Sequence, residues 1–245
     1  MLYRLTNRSS FQTLVIMLIL LSLVACDLVY DQGKDKKVSF YKYATEYIKA
    51  DETIIQNTLE DKETSLEDLK LRDQVKTDLV NSPAPTVKQL QKLLASPHPL
   101  DKKVALVNIM FRKIYSQNLF EEIIELNNLR DYYFVKFYSY QCFNLLDQAT
   151  MKQHEKEFIE ILKWETSGPH IVCAMPSIIK LEPSIIIPLF ARFFKYGDKG
   201  LKSASYVYLI SLGNDYLAKV EKILEKENAN EALEFLKAAK SGRRP

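Results

Sequence analysis

Residues 96–111, SPHPLDKKVALVNIMF, decide the fold of this 245-residue chain. Two prolines open the stretch, where they interrupt what precedes them and favour the start of a helix. Apolar residues then recur at the three- and four-residue spacing of one helix face. Within the stretch they are Val104, Leu106, Val107, Met110 and Phe111, and Ile114 continues the same face just beyond it. The stretch therefore predicts a strongly apolar helix that must pack against other helices.

Pairs of helices with this character recur along the rest of the chain. The first helices of the pairs are predicted to begin near residues 99, 131, 169 and 199, and each is followed by a second helix. A two-helix unit that repeats every ~30 to 40 residues is typical of α-solenoids. We therefore predict an all-α fold with about four two-helix units over residues 96–240 and a helical extension over residues 38–95.

Capping signatures predict where several helices begin. The spacing of Thr64 and Glu67 is that of a capping box, in which the two side chains bond each other's backbone N–H groups. The pairs Thr86/Gln89 and Thr150/Gln153 have the same spacing, and the second pair predicts a helix over residues 151–164. Single helices are also predicted over residues 131–147 and 230–240, with a frayed tail at 241–245.

The unit that begins at Pro97 resembles a HEAT repeat. In such a repeat a proline near the start of the first helix is followed by an acidic residue, a basic residue and a Val-Ala pair. Pro99, Asp101, Lys103 and the pair Val104-Ala105 match this pattern. The resemblance implies a curved stack of helices with a partner-binding face and no chemistry of its own.

The N-terminus has the plan of an export signal. Arg4 and Arg8 precede an apolar run that is shorter than the ~20 residues of a membrane span. The run ends in Leu-Val-Ala-Cys, residues 23–26, which resembles the lipobox of bacterial lipoproteins. That resemblance implies that residues 1–25 are a signal peptide and that Cys26 is the lipid attachment site. Residues 26–37 are then the lipidated cysteine and a polar, flexible tether.

Charge and glycine content argue against two large classes of function. Removing residues 1–25 takes away Arg4 and Arg8 but no acidic residue, which lowers the formal net charge from +3 to +1. Nucleic-acid binding depends on neutralising phosphates and is therefore not favoured. The chain has only six glycines, and they lack the close fixed spacings of nucleotide-binding loops. We expect no cofactor and no nucleic-acid partner.

Catalytic and metal-binding patterns are not found either. His154-Glu155 begins like a zinc-protease motif but lacks the second histidine one turn later. Cys142 has no histidine near it in the sequence, and Cys173 lies three residues after His170. An exported protein can carry a disulfide between these cysteines, whereas their apolar surroundings favour two buried thiols. We expect no catalytic residue and no metal site.

The segment of residues 131–147, DYYFVKFYSYQCFNLLD, suggests the candidate partner-binding residues. On a helical wheel one stripe is the expected core face: Phe134, Val135, Tyr138, Cys142, Leu145 and Leu146. A second stripe contains Tyr133, Phe137, Tyr140 and Asn144. This stripe is either further core, packed against a neighbouring repeat, or a binding surface, since aromatic side chains are enriched at interfaces.

Together these patterns predict a membrane-anchored lipoprotein that acts as a non-enzymatic protein-interaction module or scaffold in the bacterial cell envelope. Its partner is expected to be another envelope protein. An immunity or inhibitor lipoprotein is an alternative within this class, and an enzyme that acts on envelope material is the alternative from another class. Asp27 after the lipidated cysteine resembles an inner-membrane retention signal. It implies the periplasmic face of the inner membrane where that rule applies, and otherwise the outer membrane or the cell surface.

Overall fold

A computed structural model describes residues 40–127, 132–165 and 167–242 of the chain. Within these ranges the protein has thirteen α-helices, one 3₁₀ turn and no strand, and 81% of the residues are helical. The predicted all-α fold class is confirmed. The predicted signal peptide, Cys26, the tether and the last three residues of the tail lie outside the described residues. No helix in the described ranges is both long enough and apolar enough to span a bilayer.

The helices are numbered here in chain order. They are α1 (Phe40–Leu59), α2 (Leu66–Asn81), α3 (Val87–Leu94), α4 (Pro99–Arg112), α5 (Gln117–Leu126), α6 (Tyr133–Cys142), α7 (Gln148–Gln153), α8 (Glu155–Trp164), α9 (Gly168–Ile178), α10 (Pro183–Tyr196), α11 (Lys199–Leu212), α12 (Asn214–Lys226) and α13 (Asn230–Lys240). The 3₁₀ turn Phe143–Leu145 follows α6. The predicted bounds of α13 are reproduced, and residues 99 and 199 do begin helices.

One capping prediction is confirmed and another is wrong by one residue. The Thr86 side chain accepts a hydrogen bond from the Gln89 N–H, and the Gln89 side chain accepts one from the Thr86 N–H. The box at the start of α2 is formed by Ser65 and Asp68 instead of Thr64 and Glu67. Both pairs in the sequence TSLED have the required spacing, so the pattern alone did not distinguish the two registers.

The segment after α6 is more broken than predicted. The single helix over residues 131–147 ends at Cys142 and is followed by the 3₁₀ turn. Asp147 then caps α7 by accepting from the Thr150 N–H at 2.7 Å, so Thr150 is not the cap. The chain turns again at His154 before α8 begins at Glu155. Aspartate is the stronger N-cap of the two residue types, which favours the earlier start.

The described chain forms two compact units, residues 40–161 and residues 162–242, and the boundary falls inside α8. In the first unit α4 is the central helix, because α1, α2, α3 and α6 all pack against it. Every residue from 104 to 110 of α4 is buried. A helix that is surrounded in this way is buried on all sides instead of on one face. The helices of the N-terminal extension therefore belong to the same compact unit as α4.

In the first unit α4 packs against α6 and α3 packs against α5, so that in each pair one helix of the chain is skipped. Lys103 Nζ lies 5.9 Å from the ring centre of Phe134, and Cys142 Sγ donates to the Leu106 carbonyl oxygen at 3.4 Å. Positions increase in the same direction along α4 and α6, so these two helices are parallel. The Gln91 side chain also donates to Glu122 Oε1 at 3.1 Å and joins α3 to α5.

The second unit repeats this relationship in α9 and α11. Gly168 opens α9 against the carboxylate of Asp198, the residue that caps α11; a Cβ at Gly168 would lie only 3.2 Å from Asp198 Oδ1. The two helices also pack against each other. Because their N-terminal ends meet, α9 and α11 are parallel.

Two further helix pairs of this unit, α10 with α12 and α11 with α13, are joined at corresponding ends. Lys195 near the end of α10 lies 2.9 Å from Glu227 at the end of α12. Lys202 in the first turns of α11 lies 2.9 Å from Glu231 at the start of α13. Each of these ion pairs joins two helices at corresponding ends, which makes α10 parallel to α12 and α11 parallel to α13.

Candidate binding surface

Two of the four candidate residues on α6 are core residues. Phe137 is 3% exposed and Tyr140 is 0% exposed. The Phe137 ring packs edge-on against Phe134, and the Tyr140 ring packs edge-on against Phe143. The cause is the position of α6, which has α4 on one side and α5 on another. The interpretation of the second stripe as further core is therefore correct at these two positions, and the exposed-surface interpretation is wrong there.

Tyr133 and Asn144 are half-buried and lie at opposite ends of the stripe. Tyr133 begins α6, and its ring packs edge-on against Phe134 at 5.2 Å. Asn144 lies in the 3₁₀ turn. The two residues are separated by the buried Phe137 and Tyr140, so the structure does not bring the four candidates together as one exposed patch.

A buried acid that the sequence analysis missed lies beside the core stripe. Asp51 in α1 is 7% exposed and accepts a hydrogen bond from Tyr138 Oη at 3.0 Å. The Arg72 guanidinium lies 3.8 Å from Asp51 but 3.2 Å from Asp73. Burial raises the pKa of Asp51, while Arg72 and the Tyr138 hydrogen bond oppose that shift. The sequence feature that could have revealed Asp51 is its position within an apolar helix face. That face is formed by Tyr47, Ile48, Ile54 and Ile55.

Two of the three histidines have packing partners. His154 Nε2 lies 3.4 Å from Gln117 Oε1, and its ring packs 4.8 Å from that of Phe120. His170 is 3% exposed, and its Nδ1 lies 3.3 Å from Glu165 Oε2. Within the ranges that the structure describes, no group of three or more His, Cys, Asp or Glu side chains is arranged to hold a metal ion.

Cys142 and Cys173 are buried thiols and not partners in a disulfide. Cys142 lies against α4, and burial raises the pKa of its thiol far above the usual value. Cys173 is 2% exposed in α9. A high thiol pKa leaves little thiolate, which is the reactive form. Cys142 is therefore a packing residue.

An open groove of about 470 Å³ lies between α11 and α13 in the second unit. Its size falls within the range of ligand-binding clefts. The lining residues come from the turn before α11 and from one face of α13: Gly197, Asp198, Lys199, Lys202, Glu231, Glu234, Phe235 and Ala238. No pattern in the sequence had indicated this site, because its two sides are about 30 residues apart and neither contains a motif.

Local geometry explains how the first side of the groove forms. Gly197 is required in the turn, because a Cβ there would lie 2.4 Å from the Phe193 carbonyl oxygen. Asp198 then starts α11 by accepting from the Leu201 N–H at 2.7 Å. This N-cap fixes the direction in which Lys199 and Lys202 leave the helix.

The second side of the groove provides an apolar floor and a charged rim. The Phe235 ring packs 6.1 Å from Phe194, which anchors α13 on α10. Lys202 is 7% exposed, and its ammonium group joins Glu231, whose side chain is 90% exposed. The hydrogen bond from Lys202 and its charge lower the pKa of Glu231. Glu234 remains exposed at the rim. An apolar floor between charged rims suits a polypeptide segment with both kinds of side chain.

Comparisons with known protein families, with curated proteins and with solved structures found no match.

Proposed function

We propose that this protein is a membrane-anchored lipoprotein of the bacterial cell envelope that acts as a non-enzymatic protein-interaction module. The observation that supports it most is the parallel arrangement of α4 with α6 in the first unit and of α9 with α11, α10 with α12 and α11 with α13 in the second. Stacked helix pairs of this kind extend side by side and present long surfaces that bind other proteins. The proposal thus rests on a repeated geometry and not on a single residue.

The same geometry supports a HEAT-like α-solenoid as the finer description of the fold. In a stack of two-helix units, each helix packs against its neighbour in the chain and against the equivalent helix of the next unit. The equivalent pairs in the first unit are α3 with α5 and α4 with α6. In the second unit they are α9 with α11, α10 with α12 and α11 with α13. Under this proposal α13 is the capping helix.

Attachment to the membrane is proposed from the sequence of residues 23–26. Acylation of Cys26 after removal of residues 1–25 would hold the helical units near a bilayer on a tether of residues 26–37. The eleven residues 27–37 span at most ~40 Å when fully extended, so the helical units can stand off the membrane but the tether cannot cross a wide periplasm. Asp27 favours the periplasmic face of the inner membrane where the retention rule applies.

The groove between α11 and α13 is the proposed partner-binding surface. Its rim carries Lys199 and Glu234, and its floor contains Phe235 and Ala238. A partner segment would place apolar side chains on the floor and charged ones at the rim. An immunity or inhibitor lipoprotein is one form of such a module, in which the bound partner is a toxin or an enzyme.

Two measurements test the proposal. Metabolic labelling with a fatty acid should mark the wild-type protein and not Cys26→Ser, whereas an unlabelled wild type contradicts the anchor. In a pull-down from envelope extracts, the wild-type protein should capture a partner in stoichiometric amount. The Glu234→Lys variant and the Ala238→Trp variant, whose indole fills the groove, should capture much less of it. Glu225→Lys is the matched control, because it changes the charge equally at an exposed site on α12. Equal capture by all variants contradicts the groove.

A further inference from the structure

Two aromatic side chains of the second unit are unusually exposed. Trp164 is 79% exposed and Tyr196 is 70% exposed, more than any other large apolar side chain in the described ranges. Each is the last residue of its helix, α8 and α10 respectively. Each also directly follows a lysine, Lys163 or Lys195. Large aromatic residues usually bury most of their surface, so a repeated Lys-aromatic pair at a helix end requires an explanation.

The ends of these two helices lie next to each other. Arg192 Nη1, one turn before the end of α10, donates to the Leu162 carbonyl oxygen at 3.3 Å, two residues before the end of α8. The end of α12 continues the row, because Lys195 pairs with Glu227 there. Trp164 and Tyr196 therefore lie along one edge of the second unit. We call Lys163, Trp164, Lys195 and Tyr196 the aromatic edge.

The composition of the aromatic edge is that of a membrane interface. Tryptophan and tyrosine rings are enriched at the level of lipid headgroups, because one end of each ring is apolar and the other forms hydrogen bonds. Lysine stems lie along apolar surface while the ammonium group remains in water near the phosphates. Lys195 Nζ lies 5.3 Å from the ring centre of Tyr196, so the charge and the ring are presented together.

Three acidic side chains near the edge have partners on the protein. Glu227 pairs with Lys195 at 2.9 Å, and Glu165 lies against His170 with only 8% of its surface exposed. Asp198 accepts from the backbone of α11. Their negative charges are partly offset, which lowers the repulsion between this edge and anionic lipids.

We propose that the aromatic edge is a membrane-contact surface that places Trp164 and Tyr196 in the headgroup region of a phospholipid bilayer. Lys163 and Lys195 then lie next to lipid phosphates. This inference extends the proposed lipoprotein function, because acylation at Cys26 would hold the edge near a bilayer. A second contact of this kind makes attachment through an acyl chain more stable and limits the orientations of the second unit.

Trp164 provides the test, because it is the only tryptophan of the chain. Full-length protein, recovered from membranes, is reconstituted into vesicles of phosphatidylcholine with phosphatidylglycerol. We expect the Trp164 fluorescence to have a blue-shifted emission maximum and to be quenched by lipids with brominated acyl chains. Its accessibility to acrylamide should be several-fold lower than that of the same protein without vesicles. An emission maximum typical of indole in water, with unchanged acrylamide accessibility, overturns the proposal.

Two variants make the test specific. Lys163→Glu with Lys195→Glu should lower the quenching by brominated lipids, as should high salt with the wild-type protein. The control Tyr115→Trp with Trp164→Phe moves the reporter to a residue of the first unit that is 45% exposed, and its emission should stay water-like. Equal quenching at both positions, or a blue shift that requires envelope proteins instead of lipid, contradicts the proposal.

The outcome is independent of the anchor test. Lipid quenching of Trp164 in a protein that carries no fatty-acid label supports the edge and contradicts the anchor. A labelled protein whose Trp164 remains accessible to acrylamide in vesicles supports the anchor and contradicts the edge.

Discussion

Tyr138 Oη donates a hydrogen bond to Asp51 Oδ2 at 3.0 Å, across 87 residues of sequence. Both side chains are buried, and the bond joins the N-terminal helix α1 to α6. Within the described part of the chain, the ion pair of Asp51 is with Arg72, which lies closer to Asp73 than to Asp51. A buried carboxylate with so little charge compensation depends on the hydroxyl groups around it. The pair therefore links the N-terminal extension to the body of the first unit.

Replacing Tyr138 with phenylalanine should destabilise the protein while preserving the ring packing. The change removes one hydrogen-bond donor from Asp51. Because a buried acceptor that loses a donor is less well satisfied, we expect the unfolding free energy to fall by ~1 to 3 kcal/mol. Urea unfolding, followed by the loss of helical circular dichroism, measures the difference. Tyr115→Phe is the control, because that hydroxyl is at an exposed position. Equal stability of Tyr138→Phe and wild type would refute the role of this bond.

The contribution of Asp51 to stability should increase as the pH falls. Burial raises the pKa of Asp51 in the folded protein above the ordinary value of 3.8, which the unfolded chain is expected to have. The folded state thus takes up a proton first, so this group favours folding more as the pH decreases through the folded pKa toward 3.8.

The measurement is the difference in unfolding free energy between wild type and Asp51→Asn across that pH range. Groups common to both proteins cancel, including Asp101, whose pKa is lowered by hydrogen bonds from Ser96 and Tyr41. We expect the wild type to gain stability relative to the variant as the pH falls. A difference that is independent of pH would contradict the raised pKa.

Arg112→Lys should loosen the end of α2. The Arg112 guanidinium donates to the carbonyl oxygens of Leu79 at 2.5 Å and Ser82 at 2.9 Å, and to Ser82 Oγ at 2.8 Å. Lysine cannot reproduce this planar fork. We expect a loss of ~1 to 3 kcal/mol and faster hydrogen exchange in the last turn of α2. Exchange that accelerates equally in α13 would show general destabilisation instead of a lost cap.

Tyr140→Ala and Tyr196→Ala should differ strongly in stability. Tyr140 is 0% exposed, and truncating a buried aromatic side chain costs ~3 to 5 kcal/mol. Tyr196 is 70% exposed, and such surface changes usually stay within ~0.5 kcal/mol. Thermal unfolding of the two variants measures this difference. Similar melting temperatures would mean that Tyr140 is not a core residue.

The helical nature of the chain could be predicted because its apolar period is local information. The stretch 96–111 predicted α4, and the structure contains that helix from Pro99 to Arg112. The sequence indicated one apolar face, whereas the helix is buried on all sides from residue 104 to 110. The number of helices that surround α4 depends on contacts between distant segments, and a local pattern does not contain that information.

The candidate site was predicted less well for a related reason. A helical wheel shows that α6 has two aromatic stripes but not whether a neighbouring helix covers each one. In the structure α4 and α5 both pack on α6, so Phe137 and Tyr140 are buried. The groove combines the turn at Gly197 with a face of α13, and the Tyr138–Asp51 bond combines α6 with α1. Such pairings become visible only in the fold.

The most direct test of the proposed function is photo-crosslinking in living cells from one position in the groove. A photoreactive benzoylphenylalanine replaces Glu234 on the groove rim or, as the control, Glu225 on the exposed face of α12. We predict one discrete crosslinked envelope protein from position 234, absent from position 225 and lost when Ala238→Trp fills the groove. No crosslinked species from position 234, or the same species from both positions, would contradict the account of the groove as the partner-binding surface.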